Sequence, residues 1–313
     1  MKSRKKIILL SISIIILIVL FLVIKSLFIC NVSDKEAIAL AKAFCNKMGV
    51  NCSQEPWIFD TDFELPIKNS KVKMVDFGKN DKDISISISC HNKEVCFFAN
   101  WKIKKSVFKK YNISSIITNE PRKWPPLLPE SRSKEIIFAI ANKIGLPSDV
   151  EFSKLSLDKD YGYWIGYWTR KHNGFPYELD FIEIKILAID GEFYVYRKWF
   201  FGKPCPTEVK ITKEEAIKEG WQQVTRVFTK VDWKNHKNDY RVKSAELKIV
   251  QPNVISGQFS SFLSTNSRLA WVLIYGLKEQ PDERKLQEVD YMEQMTIKID
   301  AATKEFLGGG RPL

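Results

Sequence analysis

Residues 7–24 are apolar except for Ser11 and Ser13, and Leu27, Phe28 and Ile29 carry the run on past Lys25. A bilayer core of roughly 30 Å is crossed by about 20 such residues in a helix, so this run is long enough. Lys2, Arg4, Lys5 and Lys6 precede it, while Asn31, Val32, Ser33 and Asp34 follow with no positive charge. Basic flanks stay in the cytoplasm. The expectation is a single-pass cell-membrane protein with a cytoplasmic tail at 1–6, a transmembrane helix in the lipid bilayer at 7–29, and the bulk of the chain extracytoplasmic. A cleaved export signal is the alternative; it shares the basic start but has a shorter apolar core and small residues at its exit. Here the exit reads Ser26-Leu27-Phe28-Ile29-Cys30, bulky where a peptidase needs small side chains. The same bulk at Ile29 disfavours lipid attachment at Cys30.

An exported body narrows the chemistry that remains. None of the six cysteines forms a CxxC pair, and the histidines are His91, His172 and His236, so no zinc spacing exists and no metal or other cofactor is expected. An oxidising compartment allows disulfides. Cys45 and Cys52 are spaced to tie a helix end to the loop after it. Cys90 and Cys96 flank His91-Asn92-Lys93-Glu94-Val95, and a three-residue loop over Asn92–Glu94 would set them opposite each other on paired strands. Buried thiols are the alternative for each pair. Cys205 stands single in Lys203-Pro204-Cys205-Pro206 with no identifiable activating base.

The formal charge is +12, and five of those positive charges fall in Lys2–Lys25, leaving +7 on the rest. That excess suits anionic lipid headgroups or an acidic wall polymer, but a plain solvated lysine-rich surface is the simpler reading. No basic stripe with interleaved stacking aromatics is present, which argues against nucleic acid.

Two proline-bearing stretches, Glu120–Pro129 and Gly202–Pro206, resist helix and central strand alike and read as linkers. They divide the exterior into modules at 31–118, 130–203 and 209–313. The first opens Ser33-Asp34-Lys35-Glu36 and the third Thr212-Lys213-Glu214-Glu215. Both are capping boxes, in which the hydroxyl accepts an orphan amide and the glutamate reaches back to the cap's own amide. The middle module has Arg132 at the cap position, so Ser131 or Ser133 must serve. Apolar residues then recur at helical spacing: Ala37, Ala41, Phe44 and Met48; Ile136, Ile137, Ile140 and Ile144; Ala216, Gly220, Val224 and Phe228. Each helix is followed by β-branched and aromatic runs, three per module, with hairpin signals at Asn173-Gly174 and Asp190-Gly191. The fold class expected is α+β: an N-terminal transmembrane helix, then tandem modules of one helix packed on a small antiparallel sheet.

The residues then resemble a known family. Thr212–Ile217, the strand Leu269-Ala270-Trp271-Val272 and the ending Ile297–Gly309 look like a PepSY domain, with Lys304 where a glycine normally follows the threonine of the final turn. In the middle module, Asn173-Gly174-Phe175-Pro176 and Ile182-Glu183-Ile184 leading to Asp190-Gly191-Glu192 are similar to YcdB/YcdC-type repeats. The first module matches in outline only. The resemblance implies a small non-catalytic α+β module found in protease propeptides, where it inhibits or chaperones a peptidase, and in anchored exported proteins, where it docks or regulates partners. It supplies no catalytic residue.

The function expected is therefore a membrane-tethered, non-catalytic binding or regulatory protein whose partner is another exported protein: a peptidase, a wall-lytic enzyme or a sensor. A basic wall-associated structural protein is the alternative. A hydrolase would have to use Asp158, Asp160 and His172, or a serine with His236, and no such motif is present. The densest aromatic cluster is the candidate binding surface: Tyr161, Tyr163, Trp164, Tyr167 and Trp168. On a strand Trp164 and Trp168 share one face and the tyrosines the other, so at most one face is core against the helix; the other is a binding surface or, as the plainer alternative, packs against a neighbouring repeat.

Overall fold

The computed structural model describes residues 30–62, 71–78, 83–113, 124–227, 237–255, 258–259, 263–264, 266–279 and 293–310. Residues 7–29, on which the membrane-spanning expectation rests, lie outside them. Among the described residues no helix is long and apolar enough to cross a membrane, so the architecture below contains no transmembrane helix. The described chain forms two compact units, one ending at Cys96 and the other starting at Phe97.

In the first unit, helix α1 (Asp34–Met48) packs on strands β2 (Lys71–Phe77) and β3 (Ile84–Ser89). Its cap forms as expected, with Ser33 Oγ accepting from Glu36 N at 3.2 Å, and Gly49 ends it at φ 74°, a left-handed turn that costs glycine nothing. Strand β1 (Pro56–Asp62) pairs antiparallel with β2, and β2 with β3. The alternation of β3 sends Ile84, Ile86 and Ile88 to one face, where Val75 and Phe77 of β2 lie opposite Ile86 and Ile84 and are buried with them.

Two disulfides close this unit, Cys45–Cys52 and Cys30–Cys90. The first pairing follows the spacing. The expected Cys90–Cys96 bond is overturned, because the hairpin closes with Ser89 N donating to Glu94 O. That register sets Cys96 beside Ser87, whose carbonyl its Sγ meets at 3.3 Å, and leaves Cys90 in the turn for Cys30. Cys96 stays a buried thiol.

The second unit opens on β4 (Val95–Asn100), whose last residues belong to it, followed at once by α2 (Trp101–Lys110). Helix α3 (Glu130–Ile144) precedes β5 (Val150–Asp158), β6 (Tyr163–His172), β7 (Phe175–Leu187) and β8 (Phe193–Trp199). Helix α4 (Lys213–Val227) precedes β9 (Tyr240–Val250), a small pair β10 (Val254–Ile255) and β11 (Gln258–Phe259), then β12 (Arg268–Leu277), β13 (Gln294–Asp300) and β14 (Phe306–Gly310). Both β5-β6-β7-β8 and β9-β12-β13-β14 are antiparallel meanders, each under its own helix.

The expectation of separate helix-on-small-sheet modules is overturned by what joins these meanders. Tyr177 on β7 pairs in parallel with Ile249 on β9, and Phe97–Ala99 of β4 pair antiparallel with β8. One mixed sheet therefore runs β4-β8-β7-β9-β12-β13-β14, with β6 and then β5 on β7's other side. Backbone pairing at strand edges needs only unpaired N–H and C=O groups in register, which no side-chain pattern announces.

The repeat survives in the helices. Buried positions recur four apart as Ala37, Ala41 and Cys45 on α1, and as Ser133, Ile137 and Ala141 on α3. On α4 they are Ala216 and Val224, with Gly220 between them, where an added Cβ would lie 2.3 Å from Tyr275 Oη. Small side chains at this spacing let each helix lie close on its strands. The caps differ. Thr212 and Glu215 complete their box, Thr212 N to Glu215 Oε2 at 2.9 Å and Glu215 N to Thr212 Oγ1 at 3.2 Å. Helix α3 instead starts after Pro129 with no side-chain cap; Ser133, expected to serve, is fully buried on the helix's inner face.

Candidate functional site

Strand β6 carries four of the five aromatic residues singled out from sequence. Trp164 and Trp168 are 8% and 5% exposed on the face beneath α3. Trp164 Nε1 donates to Leu128 O at 3.0 Å, and Trp168 packs edge-on to Phe152 and tilted against Phe138 of α3. Between them Gly166 lets the helix approach: a Cβ there would sit 2.6 Å from Ile137 Cγ2. Both tryptophans are thus core.

The opposite face of the same strand is divided. Tyr163 and Ile165 are buried with Leu187, Tyr194 and Val195 under Val107 of α2, with Trp101 and Ile103 packed alongside. Burial pushes the Tyr194 hydroxyl up to about 12, against a smaller opposing pull from Tyr163. Tyr161 precedes the strand at 41% exposure and stacks on Tyr163 at 6.2 Å.

Two residues further along, burial falls, and Tyr167 packs at the edge of the same cluster. Tyr167 is only half-buried, and register places a row across five strands: Lys154, Tyr167, Glu183, Arg197 and Phe97. Beside it run Thr169, Phe181 and Trp199. The rings adjoin one another, with Tyr167–Phe181 at 6.4 Å and Phe181–Trp199 at 5.0 Å. Lys154 Nζ stands 4.8 Å over Tyr167, and the Arg197 guanidinium lies 5.3 Å from Trp199 and 5.9 Å from Phe97.

At the centre the Glu183 carboxylate, 4% exposed, faces Lys185 at 3.2 Å and Arg197 at 3.4 Å. Burial, and next the Glu183 charge, push the Tyr167 hydroxyl up to about 12. The result is a platform of four partly exposed rings and three cations around one buried carboxylate. Such a surface can hold apolar and anionic groups together through ring contacts and charge-assisted hydrogen bonds.

Residues a hydrolase would need are engaged elsewhere. Asp158 Oδ1 accepts from Asp160 N and Tyr161 N and so shapes its own turn, while His172 ends β6 at the Asn173-Gly174 hairpin. His236 lies outside the described residues, among which no cluster of His, Cys, Asp or Glu is arranged to hold a metal. Burial pushes the Cys205 thiol up, away from the reactive thiolate form.

Sequence reasoning missed Arg170 altogether. Its guanidinium donates to Asp149 at 2.7 Å, to Asp180 at 2.9 Å and to Gly202 O at 2.9 Å, between the rings of Tyr177 and Phe200 at 4.8 and 4.9 Å. Asp180, 1% exposed, also accepts from Phe201 N and Gly202 N. This knot pins the chain leaving β8 where β9 takes over β7's edge. No motif marks it, since its members become neighbours only once β6, β7 and the 200–202 stretch come together.

Comparison with known proteins adds little to this geometry. No protein-family model and no curated protein matches the chain. Among solved structures, it is similar to the Bacillus megaterium YpeB C-terminal domain, at 11% identity and a TM-score of 0.43 over 90% of this chain and 99% of that one.

Proposed function

We propose that this protein is a non-catalytic, extracytoplasmic docking protein that holds another exported protein, and that the open half of the β6–β7–β8 face is where it does so. The carrying observation is the abrupt change along one strand from buried Tyr163 and Ile165 to half-buried Tyr167. Half-buried aromatic and arginine side chains together match the composition enriched at protein interfaces. Three cations around a single carboxylate favour a partner surface that brings its own carboxylates.

The address is the outer face of a membrane, supported by the basic start and apolar residues 7–29 and by two disulfides that an oxidising compartment sustains. The resemblance to PepSY-type modules, which carry no catalytic residue, supports a role through binding. Tethering then makes modest affinity sufficient, because it raises the local concentration of the pair.

A photo-crosslinking residue at Lys154 in intact cells tests the reading. One defined exported protein should be captured, capture should be lost on Arg197→Glu with Trp199→Ala, and it should persist with Lys218→Glu on α4. Capture indifferent to the platform substitutions sinks the proposal. So does salt-sensitive sedimentation of the protein with purified wall and no protein captured, which would favour the structural alternative.

A further inference from the structure

An outermost strand presents a row of backbone groups, and proteins blunt such edges with bulges, charges or a covering segment. Two outer strands of this fold are managed in that way. Strand β5 carries a bulge between Phe152 and Lys154. Strand β14 is closed by Asn253, whose backbone amide donates to Leu307 O at 3.0 Å while its side chain exchanges bonds with Gly309 at 3.1 and 3.2 Å.

Strand β1 is different. Among the described residues it pairs with β2 alone, and its register runs unbroken from Pro56 to Asp62. The direction of its outer groups follows from β2. Phe77 O accepts from Asp83 N and Lys71 O from Cys90 N, both at 3.0 Å, so the odd residues of β2 turn their polar groups toward β3. Their partners on β1 are Pro56, Ile58, Asp60 and Asp62. Bonded and non-bonded positions alternate along an antiparallel pair, so these four turn their backbone groups outward. Pro56, which has no N–H to leave unpaired, suits that side.

Trp57 and Phe59 alternate with those residues and share one face. Lys73 marks the other face, where its ammonium meets Asp34 of α1 at 2.6 Å and Asp60 at 3.0 Å. On the side away from α1, Trp57 is 64% and Phe59 41% exposed. Outward amides beside exposed aromatic rings are what a further strand needs in order to add to a sheet.

We infer that β1 pairs antiparallel with β1 of a second copy of this chain, about a two-fold axis through Ile58. Self-complementarity favours a second copy over an unrelated strand. With the axis there, Ile58 exchanges both backbone bonds with its own equivalent, and each Asp60 amide donates to the Pro56 carbonyl of the second copy. Trp57 and Phe59 face each other twice, once on either side of the axis, and such directly opposed aromatic pairs stabilise a sheet. No like charges meet, since Asp60 lies opposite Pro56 and Glu55 opposite Thr61. Moving the axis one residue either way leaves a single aromatic pair and sets Glu55 against Phe59 or Asp60 against Ile58.

The test uses the full chain in mild detergent. Light scattering should show a reversible dimer, and Trp57→Lys with Phe59→Lys should weaken it at least about tenfold, since lysines on an edge resist pairing. Both native disulfides should stay intact in that variant. Under mild oxidation Ile58→Cys should couple to its equivalent, because the two Cα atoms lie about 5.5 Å apart, within disulfide reach. Asp60→Cys should couple at least about tenfold more slowly, its equivalents being about 14 Å apart along the strands. Mass spectrometry of the linked peptides identifies the bond.

A monomer at every concentration overturns the inference. So does a dimer that survives the two lysines, which would leave the apolar run at 7–29 to hold the copies together. Equal coupling at Ile58 and Asp60 overturns the register and the two-fold axis with it. That comparison decides the matter even where the lysine variant fails to fold.

Discussion

Tyr163 and Tyr167 stand four residues apart on one strand and one face, yet the first is buried and the second only half-buried. The strand does not differ between them; Tyr163 lies inside the cluster that Val107 of α2 completes, and Tyr167 packs at that cluster's edge. A sheet face becomes interior or platform according to what covers it, so the same alternating sequence can serve both ends. The covered half supplies stability and the open half keeps its rings available.

Several measurements can break that contrast. Tyr163→Ala should lower stability by about 3 to 5 kcal/mol, since it empties a packed site under a helix, whereas Tyr167→Ala should cost about 1 kcal/mol or less because the ring is half in water already. Urea unfolding of the two variants checks this, and equal losses would mean that the open half is covered as well. On the other face of the strand, Gly166→Ala should cost about 1 to 3 kcal/mol through overpacking against Ile137, read in the same way.

Alkaline titration sharpens the comparison less strongly. Tyr167 and Tyr194 are both pushed up to about 12 from an ordinary value of 10.0. The unfolded hydroxyls ionise first, so the stability these tyrosines contribute is fully present below pH 10 and is lost as the pH rises through about 12. Phenolate absorbance should show both titrating late, and Glu183→Gln should bring Tyr167 down while leaving Tyr194 where it is.

The smallest effect concerns the capping box of α4. Glu215 is held below its ordinary 4.5, first by the Lys304 ammonium and next by the Thr212 amide. Its contribution is therefore present above pH 4.5 and lost as the pH falls through the lower folded value. Glu215→Gln should flatten the acid limb of stability slightly and leave neutral binding untouched.

Lys304 shows what a departure from a family pattern means physically. It sits at φ 64°, the left-handed region that glycine occupies without strain, and its ammonium pairs with Glu215 at 2.7 Å. The resemblance marked the position as unusual, and only the fold showed its partner across 89 residues.

Legibility elsewhere followed the range of the interaction. Ser33, Thr212 and Gly145 announce helix ends through contacts a few residues long, and the Cys45–Cys52 bond spans 7 residues. Strands β1 and β5 went unread, one bounded by proline and acidic residues, the other with its alternation interrupted where its register slips between Phe152 and Lys154. Helix α2 went unread because it follows β4 with no linker, Asn100 ending the strand and capping the helix through Ile103 N at once. Cys90 was assigned the wrong partner because a hairpin register, invisible in spacing alone, decided which residue it faced.

By itself the sequence determined the repeated helix-then-strands order, the caps, the segregation of Trp164 and Trp168 from the tyrosines, and the basic, apolar start. All of these depend on bonds and periodicities within one element or one turn. The tertiary structure alone decided that the two meanders share a sheet, that Arg170 knots their junction, that Cys30 closes on Cys90, and that Tyr163 is enclosed with Val107 of α2 while Tyr167 packs at the edge of the same cluster. Those outcomes turn on which edges and faces meet, and a strand's edge presents the same backbone groups whatever its side chains are.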